Sequence, residues 1–223
     1  MPPEERLAER RALLLDAAFD LLGTDGDAAT TVRAVCQRAR LNPRYFYESF
    51  ADRDALLLAV YDQQAMRLGE VVVANVEAAG DDEAARLRAG IETIARFVTD
   101  DPRRARVLYS EALGNEALNR RRLEAQHAVV EFLVQWDRRR HGPPPSGEQA
   151  QTVMASILVG GLGELVLAWL DGRIDLTLDQ LVDDASSMFL AAGQAAARLV
   201  ESRRTETGLP SGHGGAEDRG RPG

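Results

Sequence analysis

Apolar residues recur along this chain at the three-and-four spacing of an α-helix. Leu14, Ala17, Ala18, Leu21 and Leu22 form one stripe. They predict a helix over about residues 4 to 23, ended by a polar turn between Gly23 and Gly26. From Thr31 to Phe50 the pattern predicts two short helices with a tight break. Thr31 is a good N-cap, since its hydroxyl can accept from an early orphan N–H. Val32, Val35, Cys36 and Ala39 then share one face. The break falls at Arg40, Leu41 and Asn42. Asn42 caps the second helix, and Pro43 takes its first position, where a missing N–H costs nothing. Phe46 and Phe50, four apart, share one side. Two short helices joined this way make a helix-turn-helix, whose second helix fits a DNA major groove.

The rest of the chain reads as longer helices. Asp52 caps one that begins DRDALLLAVYDQQ. Another starts near Asp81, with Leu87, Ile91, Ile94 and Val98 at helical spacing. Asp101-Pro102 restarts the chain with a cap and a first-position proline. A long segment from about Asn115 to Arg140 carries Leu123, Val130, Leu133 and Val134, and HGPPP at 141–145 breaks it. Ser146 with Gln149, and Thr177 with Gln180, have capping-box spacing and start the last two helices. The final one is expected to run to about Ser202. Residues 203–223, rich in Gly, Pro and polar groups, are expected to be disordered.

The run Val153–Leu170, VMASILVGGLGELVLAWL, is apolar all round. It lies at the short limit for a membrane span. Glu164 near its middle would cost about 2.5–3.5 kcal/mol there, and no basic cluster flanks it. A helix buried on every side is the preferred reading, one face on the core and the other against a second subunit. Gly160, Gly161 and Gly163 would let backbones approach closely at such an interface, with Trp169 at its end.

Charge sharpens the picture of the N-terminal region. The chain is acidic, at −8, yet Arg33, Arg38, Arg40 and Arg44 stand between Thr31 and Tyr47 with no Asp or Glu. A local reversal of sign beside tyrosines fits phosphate binding. Aromatics are only 5% of the chain, which favours helix over sheet. All basic residues are Arg, a mark of coding bias. The single cysteine, Cys36, excludes an internal disulfide, and no cysteine spacing suggests a metal. MPPEERLAERR has no apolar core, so a reducing cytoplasm is the expected compartment.

Residues 11 to 60 resemble the DNA-binding domain of the tetracycline-repressor (TetR) family of bacterial transcription regulators. The likeness runs through RALLLDAAFDLLGTDG, ATTVRAV, YFYESF and DRDALLLAV, in that order. It implies an all-α protein with a three-helix helix-turn-helix domain over 1–51. A helical effector-binding and dimerisation domain follows over 52–202, then a tail over 203–223. The helix after Asp52 would tie the two domains together, and the last two helices would form a homodimer interface.

The outer face of the second short helix presents Arg44 and Tyr45. Arg44 could fork to guanine, worth about 1–3 kcal/mol of discrimination. Pro43 could touch a thymine methyl. The resemblance adds Arg33, a base or backbone contact, and Tyr47, whose hydroxyl would meet a phosphate. Thr31 and Arg53 match backbone-contacting positions. Three residues depart from the family pattern. Arg40 replaces a turn glycine, Ser49 replaces a phosphate-binding histidine, and Glu48 adds a negative charge.

The effector site is less legible. Phe97, Tyr109, Phe132, Trp136 and Met154 are candidate lining residues. His127 and Glu164 are the polar groups expected to be enclosed with them. Glu124 and His127 form one Glu-x-x-His, but di-iron chemistry needs two plus further carboxylates. With no catalytic, cofactor or metal motif, the reading is a non-enzymatic, ligand-responsive repressor whose homodimer binds a palindromic double-stranded operator, without membrane attachment, and is released by a small-molecule effector. The competing reading is a helical ligand-binding or scaffold protein with a vestigial DNA-binding domain.

Overall fold

The computed structural model describes residues 2–142 and 148–206. Ten α-helices are found among the described residues, and no strand. Three form the N-terminal unit: α1 (Pro3–Thr24), α2 (Val32–Ala39) and α3 (Pro43–Ser49). Then come α4 (Arg53–Ala78) and α5 (Glu83–Asp100), followed by α6 (Pro102–Ala105) and α7 (Glu111–Gly114) with a π-helical turn at Arg106–Ser110 between them. The last three are α8 (Glu116–His141), α9 (Glu148–Leu170) and α10 (Leu178–Glu206).

The stripe on α1 is the centre of the N-terminal packing. Leu14, Ala18 and Leu22 have no exposed surface, and they meet Val35, Cys36, Phe46, Leu56 and Val60 in one cluster. Burial pushes the Cys36 thiol up from its usual range. α4 packs against α1, α5 and α8, so it spans from the N-terminal unit into the body. α5 lies between α4 and α10, and α8 packs on α9.

The caps fall where the residues place them. Thr31 accepts from Ala34 N–H at 3.2 Å, Asn42 from Arg44 N–H at 2.9 Å and Asp52 from Ala55 N–H at 2.8 Å. Thr177 and Gln180 form the full reciprocal box, at 2.9 and 3.2 Å. Ser146 lies outside the described residues, as do the prolines of HGPPP and the tail from residue 207. α10 continues to Glu206, four residues past the expected end. Helix-forming ESRRTE carries it on, and the glycines begin only at Gly208.

Gly23 is a buried residue of α1, not part of the turn after it. A Cβ there would collide with Cβ of Arg103. α1 and α6 therefore touch backbone to side chain with no space between them. Gly26, at φ 87°, makes the turn itself.

Helix α9 has two apolar sides. Ala155, Leu162, Val166 and Leu167 are buried. Val153 (57% exposed), Ile157 (52%), Gly160 and Gly161 face outward at i, i+4, i+7 and i+8. Met188, 71% exposed, stands on α10. By length and composition, Gln149–Leu170 would be apolar enough to cross a membrane.

Candidate nucleic-acid interface

Arg40 is the one non-glycine residue with positive φ among the described residues, at φ 56° and ψ 37°. This left-handed residue ends α2. Its N–H reaches Gln37 O at 3.2 Å, and Leu41 N–H reaches Cys36 O at 2.9 Å. A non-glycine residue in that conformation costs about 1–2 kcal/mol. The reversal sends the chain into α3, whose axis is fixed by Phe46 (0% exposed) and Phe50 (5%) beneath it.

The outer side of α3 is open. Pro43, Arg44 and Tyr47 are exposed, Arg44 at 82% of its side chain and Tyr47 at 63%. The Tyr47 ring stands edge-on to Phe46, centroids 5.3 Å apart, which braces the phenol. Arg33 is exposed on α2. Tyr45 is half-buried, with the Arg10 guanidinium 3.8 Å above its ring. Arg11 donates to Ser49 O at 3.0 Å and lies 4.2 Å over Phe50. Arg10 and Arg11 of α1 thus brace α3, a role the apolar pattern of α1 did not signal.

Other expected contact residues are engaged within the chain. Ser49 Oγ donates to Tyr45 O at 3.0 Å. Arg53 donates through Nε to Thr30 O at 2.8 Å and through Nη2 to the Asp27 backbone oxygen and carboxylate. Its guanidinium ties α4 to the 27–29 turn. Glu48 accepts from Arg44 Nε at 2.9 Å and pairs with Arg10 at 3.4 Å. The free protein therefore holds Arg44 over a carboxylate four residues on.

A polar seam joins this unit to the body. Asp27 N–H donates to Glu111 at 2.9 Å, and Arg106 donates to Glu111 at 2.8 Å and to Thr24 O. Arg103 bridges Asp20 of α1, at 2.7 Å, and Asp101, at 2.9 Å. The Arg103 guanidinium holds the Asp101 carboxyl below its usual value.

The expected effector residues scatter. Phe97 is buried under Arg104, 4.3 Å from its guanidinium. Phe132 stacks on Trp136 at 6.2 Å yet is 42% exposed. Met154 is half-buried. His127 and Glu164 are not enclosed, contrary to expectation: both are exposed, and Glu164 lies 3.8 Å from Arg173. Glu164 stands on the outward side of α9, seven residues after Ile157, and so reaches solvent.

Tyr109 is closest to a buried polar site. Burial pushes its phenol up to about 12, against an opposing pull from Arg122. Tyr61 is likewise pushed up to about 12, by burial first and Tyr109 second. Arg122 Nε is buried without a partner. Tyr61 and Arg122 were not signalled by the sequence, because both sit among residues that read as ordinary helix.

Two of the expected interface residues turn inward. A Cβ on Gly163 would sit 3.6 Å from Gln126 of α8, and Trp169 donates its indole N–H to Leu176 O at 2.8 Å. Gly160 has open space beside it, and Gly161 looks toward Phe189. Among the described residues no cluster of His, Cys, Asp and Glu could hold a metal.

Residues 14–60 match the family model for bacterial regulatory proteins of the tetR family. The whole fold is similar to solved structures. One is the fatty acid degradation regulator FadR from Bacillus halodurans, 16% identical, covering 81% of this chain and 94% of that one with a TM-score of 0.67. A TetR-like transcriptional regulator from Rhodococcus sp. RHA1 is 21% identical, with coverage of 82% and 94% and a TM-score of 0.59. The multidrug binding protein EbrR, complexed with imidazole, is 21% identical, with coverage of 80% and 93% and a TM-score of 0.61.

Proposed function

We propose that this chain, whose residues 14–60 match the family model for bacterial regulatory proteins of the tetR family, is a cytoplasmic, non-catalytic repressor that binds a palindromic operator as a homodimer and leaves it when a small-molecule effector binds. One observation carries the reading: α3 holds Phe46 fully inside while Arg44 and Tyr47 project from its opposite side. That is how a recognition helix meets a groove, with its first residues at the base edges. Arg44 reads guanine, Pro43 and Tyr45 lie beside it, and Tyr47 donates to a phosphate. Arg33 and the helix start at Thr31 approach the backbone. Ser49 and Arg53 act mainly by holding α3 and α4 in position.

The outward apolar faces of α9 and α10 support the dimer. Val153, Ile157, Gly160, Gly161 and Met188 would be covered by their two-fold copies. This pairing would fix the distance between the two α3 helices, and half-sites would lie about one helical turn apart or more. The effector would bind among α4, α8 and the π-helical turn, near Tyr109, and favour a spacing that no longer fits DNA. By linkage, it binds the DNA-bound form less tightly.

The test is fluorescence anisotropy on the operator-bearing DNA upstream of the chain's own gene. Arg44→Ala should weaken binding by about 1–3 kcal/mol and relax the base preference. Tyr47→Phe should weaken it for all sequences alike. Unchanged binding in both, with the dimer intact, rejects the interface. The Arg44–Glu48 pair is the one observation favouring a vestigial domain, and absent or salt-insensitive DNA binding would support that reading instead.

A further inference from the structure

We infer that the cleft between the N-terminal helices and α6 is a binding site for a small carboxylic acid with an apolar body and a hydroxyl group. It is separate from the effector site among the long helices. The cleft has a volume of about 640 Å³ and is walled by α1, α2, α4 and the start of α6. Five arginines line it against three aspartates, a local positive excess on a chain of net charge −8. An anion is the ligand such a wall favours.

Two of those arginines are uncommitted. Arg38 and Arg103 are tied to Asp20, and Arg104 reaches Phe97 O at 3.2 Å. Among the described residues, Arg40 and Arg67 carry no ion pair. Arg40 keeps its long side chain at a left-handed position where glycine would be unstrained. Arg67 lies three residues after Gln64, on the same side of α4.

Gln64 is the second, independent observation. It lines the cleft, is only 1% exposed, and its Oε1 has no hydrogen-bond partner. Buried acceptors left without a donor are rare in folded proteins. An O–H or N–H of a molecule seated against the Gln64 side chain would supply the donor that this oxygen lacks. Arg67 and Arg40 would take that molecule's carboxylate, and Leu13 and Ala17 of α1 its apolar body. An inorganic anion would use the arginines but leave the apolar wall and the amide oxygen unmatched.

Titration calorimetry on the full chain, without DNA, tests this with 4-hydroxybenzoate, benzoate and inorganic phosphate. Binding of 4-hydroxybenzoate is expected, with benzoate about tenfold weaker for want of the hydroxyl. Gln64→Leu should bring 4-hydroxybenzoate down to the benzoate level and leave benzoate unchanged. Arg67→Ala, an exposed and structurally mild change, should weaken both carboxylates about tenfold. Circular dichroism should match wild type in both variants. No heat from either carboxylate, phosphate binding as tightly as 4-hydroxybenzoate, or affinities indifferent to both substitutions would each overturn the site. Since no DNA enters the titration, this site and the operator reading fail or stand separately.

Discussion

Helix α3 turns Phe46 wholly inward and the next residue, Tyr47, mostly outward, whereas α9 presents apolar residues on both its inner and its outer side. In α3 the chemistry of each residue states its direction. In α9 it does not: Leu162 is buried and Ile157, five residues earlier, is half-exposed, though both are aliphatic. Amphipathic helices reveal their packing, while uniformly apolar ones reveal only that two partners are wanted.

The sharpest way to break this contrast is to charge the outer side of α9. Ile157→Asp should leave the folded chain intact but place an unpaired carboxylate in each half of a two-fold interface. At about 3–5 kcal/mol per buried unpaired charge, and two charges per dimer, self-association should fall by about 10⁴- to 10⁷-fold. Sedimentation velocity would show a helical monomer. A dimer of unchanged stability would mean that this side of α9 is free.

A smaller effect is expected from the buried phenols of the body. Tyr61 and Tyr109 ionise near 10.0 in the unfolded chain but only at about 12 in the fold. Their raised values mean a contribution that is complete below pH 10 and is lost as the pH climbs toward 12. Each should remove about 2 kcal/mol by pH 12. Urea melts across that window would show the decline, and Tyr61→Phe with Tyr109→Phe should flatten it. An equally steep decline in the double variant would place the alkaline sensitivity elsewhere.

The smallest change is on α3 itself. Glu48→Gln releases Arg44 from an exposed pair worth about 0.2–1 kcal/mol. Operator affinity should rise by about 1.4- to fivefold for each half-site. A fall would mean that Glu48 itself accepts from a cytosine.

These contrasts also explain what the amino-acid order made legible. Thr31, Asn42, Asp52 and the Thr177–Gln180 box could be read because a cap is a local bond between near neighbours. Arg40 could be read as a strained turn residue only through the resemblance, which places a turn glycine there. Gln64, Tyr61 and Arg122 could not, since a polar residue in a helix gives no sign of burial until its neighbours from other helices are known. His127 and Glu164 were expected inside because their surroundings are apolar, but apolar surroundings on an outer face do not enclose. The π-helical turn at 106–110 was invisible, because one wider turn leaves the apolar rhythm of the segment almost unchanged.

The missing side chain at Gly23 has a mechanical consequence. Where α1 meets Arg103 there is no slack, so the two rods cannot slide along each other. Any tilt of the short α6 segment would be passed directly to α1 and to the helices packed on it. A single added methyl group at that contact would wedge α1 and α6 apart without touching the outer side of α3 or of α9.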